Sequence, residues 1–368
     1  MQLIDAHSAE HYLCSTGRVA ANERITVREL TGGVSNMVLL VERPDAPGRD
    51  FVLKQVRARL RTQQVWHSSI ERIWREADVL ALCSRLLARP EYSAADNALV
   101  ARTPDLVFED RAQYLLAITA APRPNFVWKQ ALLEGRTDDR IAAACGRLLA
   151  TLHEGTWYDP GVAQQLGDRA LFDELRIDPY YRTLAAARPD ARTAIGSLIE
   201  SLAAHPRALV LADFSPKNLL LFEGGLMLVD FETGHYGDPA FDLGFFLTHL
   251  MLKACAKAPR HAAYIGLTEH FRAAYDRVLQ PRVGTAELAQ LWARGIQNFA
   301  GCAWARLDGK SPVDYLHDPA RREITRELAR EIFATRPGDW SQVAALWQQR
   351  LDAADFDEAI ATLPERTT

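Results

Sequence analysis

Asp213 and Asn218 stand five residues apart in Leu211-Ala212-Asp213-Phe214-Ser215-Pro216-Lys217-Asn218, directly after an apolar run that begins at Ala208. That spacing can present a carboxylate to an acceptor hydroxyl while an amide oxygen reaches a metal ion. Asp, Ser, Pro and Asn are also turn formers, so the segment by itself also reads as a capped turn. One hairpin further on, the apolar run 226–229 ends in Asp230-Phe231-Glu232. A carboxylate there is well placed to share a magnesium ion, which prefers carboxylates together with substrate phosphates. Earlier in the chain, Lys54 closes the run Phe-Val-Leu-Lys. A lysine in such a run needs the solvent face of an edge strand or a partner. Glu76, on the flank of the next apolar helical face, can be that partner, and nucleotide phosphates the ligand. Earlier still, Thr31-Gly32-Gly33-Val34-Ser35-Asn36 lies between two strand-like runs. Glycines let the backbone approach a phosphate and free N–H groups hold it; a plain hairpin turn has the same composition.

Each feature is modest alone, and their order carries more than any of them. A Gly-rich turn, a strand lysine, a helix glutamate, D-x-x-x-x-N and D-F-E follow one another as the parts of a phosphoryl-transfer site do. The elements that must position them can be read from periodicity. Residues 25–30, 37–41 and 51–55 are strand-like, with a turn-rich 44–50 between the last two, and predict an antiparallel meander. Ser68 and Glu71 predict a capping box, followed by Ile70, Ile73, Trp74, Ala77, Leu80 and Ala81 at helical spacing. Two short strands follow at 106–108 and 114–118. Residues 120–125, with Pro122 and Pro124, read as a linker. Residues 138–153 form an amphipathic helix stopped at Gly155. The stretch 208–230 alternates strand and turn, and helices follow at about 242–255, 261–279 and 286–308. The result is an α+β architecture: a small strand-rich lobe with one helix (residues 1–120) and a large mainly helical lobe (121–368) that carries an irregular polar loop, with a cleft between them.

The chain of 368 residues has room for two such lobes. Its hydrophobic fraction of 48% and charged fraction of 24% fit a water-soluble globular enzyme. A formal net charge of -4 leaves no broad basic footprint, so nucleic acid is not expected as a partner. Cys14, Cys83, Cys145, Cys255 and Cys302 are scattered, never in C-x-x-C pairs, and fit a reducing cytoplasm rather than a disulfide framework. The polar start MQLIDAHSAEHYL lacks the apolar region of a signal peptide, and no apolar run is long enough to span a bilayer. His153-Glu154 lacks a second histidine at the spacing a zinc hydrolase needs and reads as a helix end.

The chain resembles the aminoglycoside phosphotransferase and choline kinase family over nearly its whole length. The resemblance rests on Ala212-Asp213-Phe214-Ser215-Pro216-Lys217-Asn218, Asp230-Phe231-Glu232, Gly237-Asp238-Pro239-Ala240-Phe241-Asp242-Leu243-Gly244 and the Leu152-His153 helix end. Leu53-Lys54-Gln55 with Arg61, Trp66 and Arg75-Glu76 is similar to methylthioribose kinases, whereas the 211–218 loop is not. Two positions depart from the family pattern: Leu211 and Ser215 replace its usual histidines. The resemblance implies a protein-kinase-like two-lobed fold and ATP- and Mg²⁺-dependent phosphorylation of a hydroxyl on a sugar, amino sugar or amino alcohol. It implies Asp213 as the catalytic carboxylate, and Asn218 and Asp230, with Glu232, as metal ligands. Gly32, Gly33, Ser35, Asn36, Lys54 and Glu76 would serve the nucleotide phosphates, with backbone near Ile118 and Ala120 for the adenine. Lys217 reads either as a phosphoryl contact or as a solvated turn lysine. Ser215, Arg176, Tyr180, Arg306 and Lys310 are candidate phosphate or acceptor contacts, from polar clusters near turns. The rival reading is a catalytically inactive, kinase-shaped binding protein, which Leu211 and Ser215 would favour.

Overall fold

The computed structural model describes residues 3–30, 36–57, 68–89 and 99–354; Gly32, Gly33, Ser35, Arg61 and Trp66 lie outside them. Among the described residues before 120 there are six strands: β1 (Thr26–Glu29), β2 (Asn36–Glu42), β3 (Phe51–Val56), β4 (Val100–Arg102), β5 (Leu106–Asp110) and β6 (Leu115–Thr119). All but β4 form one antiparallel sheet in the order β1-β2-β3-β6-β5. The expected meander is present, and β3 is its centre rather than an edge. Alternation along β3 divides its side chains between two faces. Phe51 and Leu53 pack with Leu39, Val41, Leu115 and Ala117 against the short helix Ala9–Ser15. Val56, on the other face, joins Leu116 and Ile118 in the main core. Lys54 shares that second face, paired between Val38 and Leu116, so the solvated-edge alternative does not hold.

The helix behind this face runs Arg72–Leu87, with Arg72, Glu76, Val79, Leu80, Cys83 and Leu86 on its buried side. It begins three residues later than the capping box predicts, with Glu71 rather than Ser68 at the N-cap. The Arg72 guanidinium donates to the Ser68 and Ser69 carbonyls at 3.3 and 2.9 Å, so these carbonyls serve a side chain where a longer helix would use them for its first turn, and Ser69 keeps only a 3.4 Å turn bond from the Arg72 N–H.

Beyond the sheet come β7 (Asn125–Val127), β8 (Ala208–Val210), β9 (Leu219–Phe222), β10 (Gly225–Leu228) and β11 (His235–Gly237). β9 and β10 form a hairpin around Glu223-Gly224, where Gly224 takes the left-handed backbone (φ 75°) a tight turn favours. β7 and β4 flank this hairpin in a sheet ordered β4-β10-β9-β7, with β4 parallel to β10. β8 bypasses the hairpin and pairs antiparallel with β11. That crossover sets the segment after β8 beside the segment after β10, and these segments carry Asp213 and Asp230.

The rest is helical. Helix Asp139–Glu154 opens on an Asp138 cap whose side chain accepts the Arg140 N–H. It packs so closely on helix His261–Asp308 that a Cβ on Gly146 would stand 2.2 Å from the Phe271 carbonyl oxygen. The two helices expected at 261–279 and 286–308 are both present and meet at Gly284, where the backbone (φ 80°, ψ 165°) is not helical. Helix Ala240–Ala256 is buried on nearly all sides. This α+β arrangement is the protein-kinase-like architecture. Among the described residues no helix is long and apolar enough to cross a membrane.

Candidate active site

The loop after β8 is fixed by one carboxylate. Asp242 lies in the first turn of helix Ala240–Ala256 and is fully buried. Its Oδ2 accepts the Leu211 N–H and its Oδ1 the Ala212 N–H, both at 2.7 Å. A charged acceptor at a helix N-terminus is doubly favoured, by the helix dipole and by its own donors. His153 Nε2 stands 3.3 Å from Asp242 Oδ2, and His153 Nδ1 lies 2.8 Å from the Tyr275 hydroxyl. The Thr233 hydroxyl donates to the Leu211 carbonyl at 2.8 Å. Ala212 is held at φ 58°, a region an alanine enters only when its surroundings fix it. The anchor therefore needs no histidine at 211; that position is a buried leucine.

Asp213 follows this turn. Its Oδ1 lies 3.1 Å from Arg176 Nη2 and its Oδ2 2.8 Å from Lys217 Nζ. Arg176 also donates through Nε to the Ala212 carbonyl at 2.5 Å. Burial is the largest influence and works against the charge on both cations, but Asp213 together with Asp230, and for Arg176 also Tyr180 and Glu232, offsets it and raises the pKa of each. Asn218 donates through Nδ2 to the Asp213 carbonyl at 3.0 Å, which turns its amide oxygen over to other ligands, and its own carbonyl accepts the Val229 N–H. The two carboxylate segments are thus stitched together across the hairpin.

On the sheet side, Lys54 is 6% exposed. Its Nζ is 2.5 Å from Glu76 Oε1 and 3.0 Å from Asp230 Oδ1. Burial disfavours the lysine charge, yet Asp230, Glu76 and Glu232 more than offset it and raise its pKa. Burial raises the Glu76 carboxyl, with Asp230 and Glu232 adding to it and Lys54 opposing. Burial also acts to raise Asp230, but Lys54, Lys217 and Arg176 together hold it below the usual carboxylate range. Glu232 Oε2 accepts from Arg72 Nε and from Asn36 Nδ2, both at 3.1 Å. Carboxylate oxygens of Glu76, Asp230 and Glu232 lie within 4.8 Å of one another. Glu76 Oε2 and Asn36 Oδ1 are buried with no hydrogen-bond partner among the described residues. A hard divalent cation takes such oxygen donors, so this corner fits a magnesium-type ion. Asp230 itself adopts φ 75°.

The predicted contacts fall into two groups. Asn36, Lys54, Glu76, Asp230 and Glu232 converge as above, and Asp213, Lys217 and Asn218 meet on the loop. Ser215 is fully buried beneath that loop. Ile118 is buried inside β6, and Ala120 donates its N–H to the Asp50 carbonyl, so that N–H does not face a base. Arg176 and Tyr180 lie on the π-helical turns Asp173–Arg182, a winding often found at functional sites. Arg306 reaches them from 126 residues away, with Nη1 3.4 Å from the Tyr180 hydroxyl, and the Lys310 N–H donates to the Pro179 carbonyl. Sequence reasoning missed the buried pairing of Arg72 with Glu232 and the anchoring role of Asp242. The second had a signal: a carboxylate inside Ala-Phe-Asp-Leu-Gly-Phe-Phe must find buried partners. A separate surface hollow lined by Ser197, Ser201, Arg294, Gln297 and Arg336 contains none of these groups, and no carboxylate lines it.

Comparison with known proteins follows the same lines. The phosphotransferase enzyme family matches residues 26–291. A methylthioribose kinase of Klebsiella pneumoniae is 28% identical over 168 residues, and the chain spans only 42% of that protein's length. A methylthioribose kinase of Pectobacterium atrosepticum is 24% identical over 292 residues, covering 70% of this chain and 69% of the relative. Among solved structures, a choline/ethanolamine kinase family protein from Mesorhizobium loti superposes with a TM-score of 0.51 at 17% identity, covering 93% of this chain and 99% of its own.

Proposed function

The chain belongs to the phosphotransferase enzyme family, and from that premise we propose that it moves the γ-phosphoryl group of ATP to a hydroxyl of a small molecule. One observation carries the reading: a buried lysine bridges a helix carboxylate and Asp230, while Asp213 is held on the adjoining loop. In phosphoryl transfer the protein chiefly positions and stabilises charge. Lys54, braced by Glu76, binds nucleotide phosphates in exchange for its present contact with Asp230. Asn218 Oδ1 and Asp230, with Glu232 and Glu76 close by, would hold Mg²⁺, which when bound neutralises charge on the transferring group. The acceptor hydroxyl lies against Asp213. As its oxygen forms the new bond to phosphorus, its proton passes to an Asp213 oxygen and the old bridging oxygen leaves with ADP. Arg176 and Lys217 position the Asp213 carboxylate.

The test is magnesium-dependent nucleotide binding followed by turnover. Ligand at about a hundredfold its Kd stabilises a fold by roughly 2.7 kcal/mol, so ATP with Mg²⁺ raises Tm measurably. A flat Tm with every nucleoside triphosphate, with and without metal, overturns the reading. Binding without ADP release across a panel of alcohols would favour an inactive binding protein.

A further inference from the structure

We propose that the acceptor is an anion: a hydroxyl compound that carries a carboxylate or a phosphate monoester, held by the cluster formed by the cations Lys253, Arg306 and Lys129 and the His249 imidazole beside the Asp213 loop. This rests on the phosphotransferase reading for the hydroxyl end of the acceptor and on independent geometry for its anionic end.

The cluster is built along one stripe of helix Ala240–Ala256. Asp242, Phe245, His249 and Lys253 recur at spacings of three and four and so share a face. Asp242 anchors the catalytic loop, and the stripe leads away from it. Arg176, which touches Asp213, lies 5.6 Å over the Phe245 ring and 5.8 Å over the Tyr180 ring. The Phe245 ring meets the His249 ring at 4.8 Å. Arg306 lies 5.7 Å over Tyr180. Lys253 Nζ and Lys129 Nζ both stand over the Tyr315 ring, at 5.0 and 5.6 Å. Aromatic faces of this kind give a buried cation partial compensation only.

Carboxylates are scarce here. Lys253 is 1% exposed, and its ammonium donates to the His249 carbonyl at 3.0 Å, one turn back in its own helix. The carboxylate acting on it, Asp314, is weaker than the repulsion of Lys129 and Arg306 and is itself paired with Lys129 at 3.1 Å. Arg306 contacts Tyr180 and Ser311 and has no carboxylate within 4.0 Å among the described residues. His249 Nε2, Arg306 Nε and the Tyr315 hydroxyl are buried without a hydrogen-bond partner among the described residues. Burying positive charge without a counter-ion is costly. An anionic ligand supplies that counter-ion, and the unpartnered donors supply its hydrogen bonds. Lys217 and Lys129, which both act electrostatically on His249, have side chains 49% and 32% exposed. From Asp242 to His249 the helix rises by on the order of 10 Å, the length of a sugar acid or a sugar phosphate. A cationic acceptor meets repulsion in the same place.

The experiment uses the full chain with ATP and Mg²⁺ and four probes: D-gluconate, D-ribose 5-phosphate, D-ribose and 2-aminoethanol. ADP release gives kcat/KM, and calorimetry with the first two probes, without nucleotide, gives binding that does not depend on turnover. The expected result is binding of at least one anion, and an advantage of an anionic over the neutral and cationic probes of about tenfold or more. The two anionic arms separate carboxylate from phosphate recognition. Lys253→Met and Arg306→Gln each raise KM for the anionic probe about 10²-fold, the effect of truncating one partner of a buried charge pair, and bring the anionic-to-neutral ratio towards one. Turnover with ribose or 2-aminoethanol in preference to both anions overturns the inference and leaves the phosphotransferase reading standing. Absence of calorimetric binding for both anions overturns it whatever the turnover shows, and ATP-Mg²⁺ binding measured alongside reports on the phosphotransferase reading separately.

Discussion

Asp213 stands between two ionic regions of opposite character. On the sheet side, three carboxylates, Glu76, Asp230 and Glu232, surround Lys54, with Arg72 behind them. On the helix side, Arg176, Lys217, Lys253, Arg306 and Lys129 outnumber the carboxylates they pair with directly among the described residues, Asp213 and Asp314. The first region is nearly balanced and closes on itself through direct ion pairs of 2.5–3.1 Å. The second is unbalanced, and its cations are braced by aromatic rings and backbone carbonyls. The difference teaches what each is prepared for. A balanced network is stable as it stands and exchanges partners when metal and phosphate arrive together. An unbalanced one carries a standing cost that an anion removes.

The largest effect that tests this division falls at its boundary. Asp213→Asn is expected to lower turnover by about 10²–10⁴-fold, the usual worth of a general base, while ATP-Mg²⁺ affinity stays within a few fold. A variant that turns over at near the parent rate would break the assignment of the boundary. Next comes Lys54→Met, which leaves the buried Glu76 and the half-buried Asp230 without their shared lysine; losing one partner of a buried pair costs about 3–5 kcal/mol. Urea denaturation should show that loss. Adding Glu76→Gln should recover part of the stability and none of the nucleotide affinity. Recovery of both would make Lys54 purely structural. Asp242→Asn retains one acceptor oxygen for two backbone donors and is expected to cost about 1–3 kcal/mol, with kcat falling more than KM because the loop, not a binding surface, is disturbed. A fall confined to KM would argue against loop positioning.

The smallest effect sharpens the contrast most. Burial, with Lys129 and Arg306, pulls the Lys253 pKa down to about 7 from its usual 10.5. Asp314 opposes this, and His249 and the Tyr315 ring are the neighbouring groups. Below pH 7 the lysine is charged in both states and the folded protein bears the full burial cost. Between pH 7 and 10.5 the unfolded chain holds the extra proton, so stability rises with pH. Lys253→Met is therefore expected to raise Tm more at pH 6 than at pH 9. Parallel pH curves for the two proteins would show that Lys253 is not the strained cation. Saturation with the bound anion should erase the difference by stabilising the parent at pH 6.

Much of this was legible before any coordinates. The order of Lys54, Glu76, Asp213, Asn218 and Asp230 is local and chemical, and the strands and helices around them follow from periods of two and 3.6. The sequence alone thus determined the fold class, the loop-borne carboxylates and the lysine–glutamate pair. It did not determine that Lys54 is central in its sheet, that the helix starts at Arg72, or that β8 bypasses its neighbouring hairpin to pair with β11. Those depend on which strands meet, and strand order is a long-range choice that local propensity does not encode. Nor did it determine the electrostatics. Arg306 stands out in the sequence only as part of a polar cluster near a turn, and Lys253 is an unremarked cation in a helical run until packing brings Lys129, His249 and Tyr315 around it. A charge is solvated or strained according to what encloses it, and only the tertiary structure decides that.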